Sequence, residues 1–361
     1  MQRIILLIFF FVTIQAKDNV YFFINYMGII DPTKIDEYRE TLFSYANHPT
    51  EIVTFNKQEK LFNYFGFKEA FLKEIFPEFN VIVTNTFANL KNVKYIITQE
   101  IPRKEDELTL MLEYSKKKLL LFTIETQISN PKSHDLDYLD LYHKVFTWNQ
   151  DYVNNKKFFW LPAWILWTDV IPMIKDITPF EKKKLCCVVS NNNHFSHPLA
   201  NHKERLSFIT LCEKEALGEF AIYGMKWPDE FKNYQGKISF NGDRRHNKIQ
   251  TIKNYKFYLC YENTKNINGY VTEKIFECFA AGCVPIYSGA MDISDYIPSN
   301  CFIAREAFKS DKELLNYIKT MDKTTYARYL ENIKEFLAGS QSAKLSRRYH
   351  AKKIRKALHL D

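Results

Sequence analysis

Glycine and proline are scarce in this chain, at 10 and 12 of 361 residues, so collagen-like repeats, long flexible linkers and proline-rich tracts are excluded. No repeat of solenoid or propeller period is present. The Asn-x-Ser/Thr sequon is absent throughout, so the chain offers no N-glycan acceptor of its own. No CxxC pair with histidine partners occurs, which removes the common zinc spacings. An excess of one charge is also missing from most of the chain. Lys344 to Asp361 carries seven basic residues and one acid, which is +6 of the formal net charge of +8, and the other 343 residues hold only +2. Such a balanced body has no polyanion groove, so nucleic acid is not an expected partner, and the basic tail reads as a solvated helix face.

Long apolar runs are lacking too. Ile4 to Ile14 is apolar over 11 residues, preceded by Arg3 and followed by Ala16 and Lys17. That is too short for a membrane span of about 20 residues and fits a secretory signal peptide over residues 1–16. A short signal-anchor stays open, because Tyr21-Phe22-Phe23-Ile24 resumes the apolar character. A buried first strand is the plainer alternative. All seven cysteines fall between Cys186 and Cys301, several inside apolar runs such as Cys186-Cys187-Val188-Val189. They read as small buried hydrophobes more than a disulfide framework, although an oxidising lumen permits one or two bridges.

What is abundant is core material: 46% hydrophobic residues against 25% charged, with 30 Phe and 22 Tyr. The length favours two domains or one large α/β unit. Short β-branched and aromatic runs alternate with helical patterns. The predicted strands are Val20–Met27, Glu51–Phe55, Val81–Thr86, Lys94–Thr98, Leu119–Ile124 and Val145–Trp148, with helices at Lys34–Ala46, Glu59–Ile75 and Glu105–Lys116. Proline clustering over residues 165–184 marks a boundary. A second alternation follows: strand Leu185–Ser190, helix His202–Leu217, strands Phe220–Tyr223 and Phe257–Tyr261, helix Glu273–Ala281, strand Cys283–Tyr287, and helices from Asp311 to Leu358. The expected fold is α/β, with two Rossmann-like parallel-sheet domains over residues 18–165 and 185–361 facing a central cleft at the carboxyl ends of the strands.

The densest information lies between Tyr255 and Gly289. An apolar strand ends abruptly in Glu262-Asn263, a loop with Gly269 follows, and a helix opens with Thr272-Glu273-Lys274. Thr272 is a good N-cap. The free N–H groups at that helix end attract an anion, and Lys274 adds a full positive charge. Gly282 is a natural stop before the strand Val284-Pro285-Ile286. A polar pair at a strand end beside a lysine-bearing helix start suits a sugar diphosphate.

This run resembles the donor-binding signature of the α1,3/α1,4-fucosyltransferases, a glycosyltransferase family 10-like group in which FEN, YVTEK and GxVPI/V recur in that order. Here the first element reads Cys260-Tyr261-Glu262-Asn263-Thr264, and Tyr296-Ile297-Pro298-Ser299-Asn300-Cys301-Phe302-Ile303 resembles the family's Pro-Pro-x-Ser-Phe-Ile stretch with one proline missing. Val188-Val189-Ser190-Asn191 followed by Arg205 resembles the element that opens the donor domain. Leu120 to Glu125 followed by Val145 to Asn149 resembles the acceptor-domain stretch with a strand-end glutamate, with Glu125-Thr126-Gln127 replacing the usual Glu-Ser-Pro. Residues 18–115 resemble nothing nameable, and acceptor selection is expected there.

The resemblance implies a GT-B-like fold and inverting transfer of L-fucose from GDP-β-L-fucose to a GlcNAc hydroxyl of a glycan, α1,3 by preference, in protein glycosylation. It implies Glu125 as catalytic base, and Arg205, Asn263, Tyr270, Glu273 and Lys274 as donor-binding residues. No cofactor is required on this reading, because cationic side chains serve the diphosphate; modest Mn²⁺ stimulation is allowed for. The expected compartment is the Golgi lumen, membrane-anchored or soluble. The acceptor stays open among N-glycan core, antennal LacNAc, LacdiNAc and milk-type oligosaccharides. Two other readings also stay open: an inactive secreted lectin-like or scaffold protein of the same fold, and a transferase of another sugar nucleotide that holds Mn²⁺ through Asp135 and Asp137.

Overall fold

The computed structural model describes residues 17–24, 70–84, 87, 90–166, 168–193, 195–238 and 244–361. The expected leader at residues 1–16, the strand Glu51–Phe55, the helix Lys34–Ala46 and most of the helix Glu59–Ile75 lie outside these residues.

Two parallel sheets organise the chain. The first holds β1 (Asn19–Ile24), β2 (Asn80–Thr84), β3 (Val93–Gln99), β4 (Leu119–Thr123), β5 (Lys144–Thr147) and β6 (Phe158–Trp160), in the order β2-β1-β3-β4-β5-β6. Strand β4 is Leu-Leu-Leu-Phe-Thr with all five positions buried, the continuous apolar run of a strand covered on both faces. The second sheet holds β7 (Lys184–Val189), β8 (Phe220–Tyr223), β9 (Tyr255–Tyr261), β10 (Val284–Ser288) and β11 (Ile303–Ala304), in the order β11-β10-β9-β7-β8. From β7 the chain moves outward to β8 and then returns to the opposite side at β9. The carboxyl ends of β7 and β9 therefore flank a topological switch point, where open α/β sheets leave a crevice.

Parallel strands require helical crossovers, and their sequences show how each covers the sheet. The helix His202–Glu215 buries Arg205, Phe208, Ile209 and Cys212, a stripe of i, i+3, i+4, i+7 spacing. The helix Glu273–Ala280 buries every residue from Ile275 to Ala280, because sheet lies on one side and other helices on the other. It ends as Gly282 predicts: Gly282 takes φ 64°, its N–H bonds to Phe279 O, and the Cys283 N–H bonds to Cys278 O. This paired closure satisfies the last carbonyls.

Several elements depart from the sequence pattern. Strand β6 and the helix Arg244–Ile252 are unpredicted. The first is three half-buried residues on a sheet edge, and the second carries only Ile249 and Ile252 as apolar positions. The helix expected over Glu105–Lys116 stops at Leu112. The terminal helical stretch splits into Asp311–Thr320, Lys323–Ala338, Ser340–Ala343 and Arg347–Ala357. Ser310, Asp322 and Ser346 cap three of these starts with their side chains.

The basic tail has the solvated face expected of it, with Lys344, Arg348, Lys352, Lys353 and Lys356 exposed, while its other face is docked. His350, Ala351, Ile354 and Ala357 are buried, Arg347 pairs with Glu74 at 2.7 Å, and Arg355 pairs with Glu78 at 3.0 Å. The last helix thus crosses back onto the unit built by the first sheet. All seven cysteines are buried free thiols. Among the described residues no helix is long and apolar enough to cross a membrane.

Candidate active site

A cavity of about 270 Å³ opens at the switch point. Its walls come from Ser190 after β7, Gly224 after β8, Asn263 after β9, and Glu273 and Lys274 in the first turn of the helix Glu273–Ala280. Arg205 crosses the crevice: its guanidinium donates to Ser190 Oγ at 2.7 Å, to the carbonyls of Tyr261 at 2.9 Å and Glu262 at 3.0 Å, and to Asn263 Oδ1 at 3.2 Å. These acceptors are neutral oxygens, so the bonds fix the fork without cancelling its charge. Burial pulls Arg205 below the ordinary arginine value, with Glu262 opposing, yet arginine stays protonated in proteins. Lys237 and Lys248 also reach the cavity, against the one carboxylate of Glu273. Converging cations, backbone amides and a helix amino terminus form a receptor for an anion.

The polar pair at the end of β9 divides its roles. Asn263 lines the cavity, whereas Glu262 is fully buried behind it. The Glu262 carboxylate accepts from Thr272 N–H at 2.8 Å, from Thr272 Oγ1 at 2.7 Å and from Lys274 Nζ at 2.9 Å. Thr272 does occupy the N-cap, but its hydroxyl makes no cap bond: it donates to Glu262 and accepts from Lys274 Nζ at 3.0 Å. The first turn lines the cavity through Glu273 and Lys274. Lys274 is an ion-paired lysine whose stem is held from behind. Burial opposes its charge, but Glu262 and Glu273 outweigh that and raise it above the ordinary lysine value.

The first sheet brings an acid within electrostatic reach of Glu273 and Lys274. Glu125 lies just past β4, and its peptide is held on both sides: its N–H donates to Glu100 Oε1 at 2.8 Å, and its carbonyl accepts from His134 Nε2 at 2.8 Å and Trp148 Nε1 at 3.1 Å. Burial raises the Glu125 carboxyl above the usual carboxylate range, with Glu273 adding to the rise and Lys274 opposing it. A strand-end acid of the first unit thus feels the first helical turn of the second.

Of the residues singled out in the sequence, Arg205, Asn263, Glu273 and Lys274 meet in one cavity, and Glu125 faces that group. Tyr270 is placed differently: it is buried against Trp148 with ring centroids 4.9 Å apart, in the contact between the two units rather than in the cavity wall. Gly269 makes that contact possible. It takes φ 80°, and a Cβ there would stand 2.6 Å from the Trp148 carbonyl oxygen. Sequence reasoning missed Lys248, on the unpredicted helix, and Trp148 and Glu100, whose partners lie far along the chain. Asp135, one half of the Asp-x-Asp pattern, accepts from Asp137 N–H at 3.0 Å as the cap of the helix Leu136–Asp140. Among the described residues no three His, Cys, Asp or Glu side chains are grouped to hold a metal ion.

Two parallel-sheet units with an anion crevice at the switch point of the second, opposed by an acid from the first, define a GT-B glycosyltransferase fold. Residues 178–354 match the family model described as glycosyltransferase family 10 (fucosyltransferase) C-term, so this segment carries a domain of that family. It is 28% identical over 224 residues to the 4-galactosyl-N-acetylglucosaminide 3-alpha-L-fucosyltransferase 9 of Rattus norvegicus, covering 61% of this chain and 54% of that protein. Against the alpha-(1,4)-fucosyltransferase of Arabidopsis thaliana the identity is 40% over 80 residues, 22% of this chain and 20% of that one. The chain therefore spans about half the length, or less, of these curated relatives. A crystal structure of an α1,3-fucosyltransferase with GDP shares the fold at a TM-score of 0.55 and 14% identity, covering 96% of this chain and 92% of that one.

Proposed function

We propose that the protein is an inverting fucosyltransferase that moves L-fucose from GDP-β-L-fucose to a GlcNAc hydroxyl of a glycan, with α1,3 linkage, in protein glycosylation. The observation that carries this reading is the cationic cavity at the ends of β7 and β9, inside the segment that matches the family 10 domain and opposite Glu125.

In one-step inversion the acceptor oxygen attacks the anomeric carbon from the face opposite the phosphate. The C–O bond to GDP breaks as the new one forms, and the acceptor proton goes to a base. We assign the base to Glu125, whose raised pKa brings it nearer to operating pH. The electron pair leaves on the β-phosphate of GDP, where Arg205, Lys274 and the amides at the start of the helix Glu273–Ala280 stabilise the growing charge. Asn263 and Glu273 orient the nucleoside and fucose from the cavity wall, and Tyr270 does so through the loop it anchors. With side-chain cations at the diphosphate, we expect turnover in excess EDTA and at most modest stimulation by Mn²⁺. The apolar segment Ile4 to Ile14 supports a place in the secretory pathway, in the Golgi lumen.

The test is direct. Purified protein is incubated with GDP-fucose and an acceptor array, the linkage of any product is mapped, and GDP binding is followed by calorimetry. We expect an α1,3-fucosylated product. Glu125→Gln should lower kcat by about 10²- to 10⁴-fold while GDP still binds. Folded protein that gives no heat with GDP overturns the donor assignment, and undiminished turnover in Glu125→Gln overturns the base.

A further inference from the structure

A second carboxylate stands directly behind Glu125. Glu100 follows Gln99 at the end of β3, takes φ 67° and turns its side chain inward to 6% exposure. A positive φ outside glycine costs about 1 kcal/mol or more, so the surrounding contacts must enforce it. Those contacts are specific. The Glu100 N–H donates to Phe122 O at 3.0 Å, and its Oε1 accepts from Ile124 N–H at 2.5 Å and Glu125 N–H at 2.8 Å. Strands β3 and β4 pair in register up to Gln99 and Phe122. Beyond that point the Glu100 carboxylate takes over from the β3 carbonyls and continues the ladder exactly where β4 leaves the sheet.

An amide oxygen would serve those two bonds equally well. The carboxylate adds a negative charge in a buried place, at an energetic disadvantage, next to another acid. Burial pushes Glu100 up to about 7, against the bonds from Ile124, Ser133 and Glu125. The other groups facing the pair are Glu273, Lys274, Arg103 and the Ser129 hydroxyl around Glu125, and Tyr142 and Tyr270 near Glu100.

We propose that Glu100 is a positioning residue for the transfer: its two backbone bonds hold the Glu125 peptide in place, and its charge sits beside the Glu125 carboxyl as a second acid coupled to it. The inference rests on Glu125 being the base. Two coupled acids release their protons in steps that belong to the pair, so the acid limb of the rate profile reports on Glu100 as well.

Two variants separate the roles. Glu100→Gln keeps an oxygen for both N–H groups and removes the charge. The acid limb of kcat/KM for GDP-fucose transfer should move to lower pH by about 0.5 unit or more, with kcat on the pH plateau within about threefold and GDP affinity unchanged. Glu100→Ala removes both backbone bonds, and kcat should fall about tenfold or more while KM for GDP-fucose stays within about threefold. An acid limb that does not move in Glu100→Gln overturns the electrostatic role, and an undiminished kcat in Glu100→Ala overturns the positioning role. Should Glu100→Ala fail to fold, Glu100→Asp replaces it: its shorter side chain pulls the same two bonds, and kcat must then fall between those of wild type and an inactive protein, an unchanged kcat counting against the idea. Glu125→Gln is assayed alongside. If that variant keeps full turnover, the base assignment has failed rather than the inference about Glu100.

Discussion

Lys274 owes its place to a carboxylate that no ligand can touch. Glu262 is fully buried, and it ties the Thr272 amide, the Thr272 hydroxyl and the Lys274 ammonium into one knot behind the cavity. The pair is asymmetric, since the Lys274 side chain keeps 13% of its surface exposed and the Glu262 side chain none. Removing one partner of a buried ion pair costs about 3–5 kcal/mol, because the other charge stays behind uncompensated. Glu262→Gln leaves Lys274 near water, so the low end applies: we expect about 3 kcal/mol of lost stability, read as a lower urea midpoint at unchanged slope. The same variant frees a cation toward the cavity, so the protein that remains folded should bind GDP no more weakly than wild type. An unshifted urea midpoint would show that Glu262 is not what anchors this helix start.

At the scale of elements, the loop before the helix Glu273–Ala280 couples the cavity of the second unit to the strand-end acid of the first. Gly269 donates its N–H to Asp292 Oδ1 at 2.8 Å, its neighbour Tyr270 packs on Trp148, and Trp148 holds the Glu125 carbonyl. An alanine at position 269 meets a positive φ and a contact of 2.6 Å with the Trp148 oxygen. Gly269→Ala should cost about 1–3 kcal/mol and lower kcat for fucosyl transfer more than it weakens GDP binding. Reduced thermal stability with unchanged kcat would make the loop a purely structural contact. Much of this layout is legible in the sequence. Strand Phe220–Tyr223 and the start of the helix at Glu273 fall where the apolar runs and end signals put them. The cavity residues are legible because Asn263 and Thr272-Glu273-Lys274 are close along the chain, at a strand end and a helix start. Tertiary pairing hides the rest. Glu100 and Glu125 are 25 positions apart and meet only because β3 and β4 are neighbours, and Glu262 reads as a cavity residue until β9 is seen to bury it. The helix Arg244–Ile252 escapes notice because a mostly polar segment has too few apolar positions to set a period.

For the whole molecule, the return of the last helix decides how the two units are joined. Just before it, Trp164 Nε1 donates to Leu345 O at 3.3 Å, and within it His350 packs on Trp160 with ring centroids 5.0 Å apart. His350 is 1% exposed, and neither ring nitrogen has a hydrogen-bond partner among the described residues. Burial, with Lys353 adding, pushes it down to about 3, so the fold holds it neutral while the unfolded chain protonates it near 6.5. The unfolded state therefore binds more protons in that window, and stability is lost as pH falls from 6.5 toward 3, by about 1.4 kcal/mol per unit. Glu100 acts with the opposite sign: raised to about 7, its contribution is full below the ordinary carboxylate range and is lost as pH rises through 7. The two trends partly cancel in the wild-type profile, so only a variant can expose either one. His350→Phe keeps an aromatic ring against Trp160 and removes the titration together with two unpartnered nitrogens. Its stability at pH 7.5 should equal or exceed that of wild type. Between pH 6.5 and 5 its advantage should grow by about 2 kcal/mol, measured as the widening gap between denaturant midpoints. Curves for the two proteins that stay parallel across that interval would mean that the docked helix opens to let His350 meet water before the fold is lost.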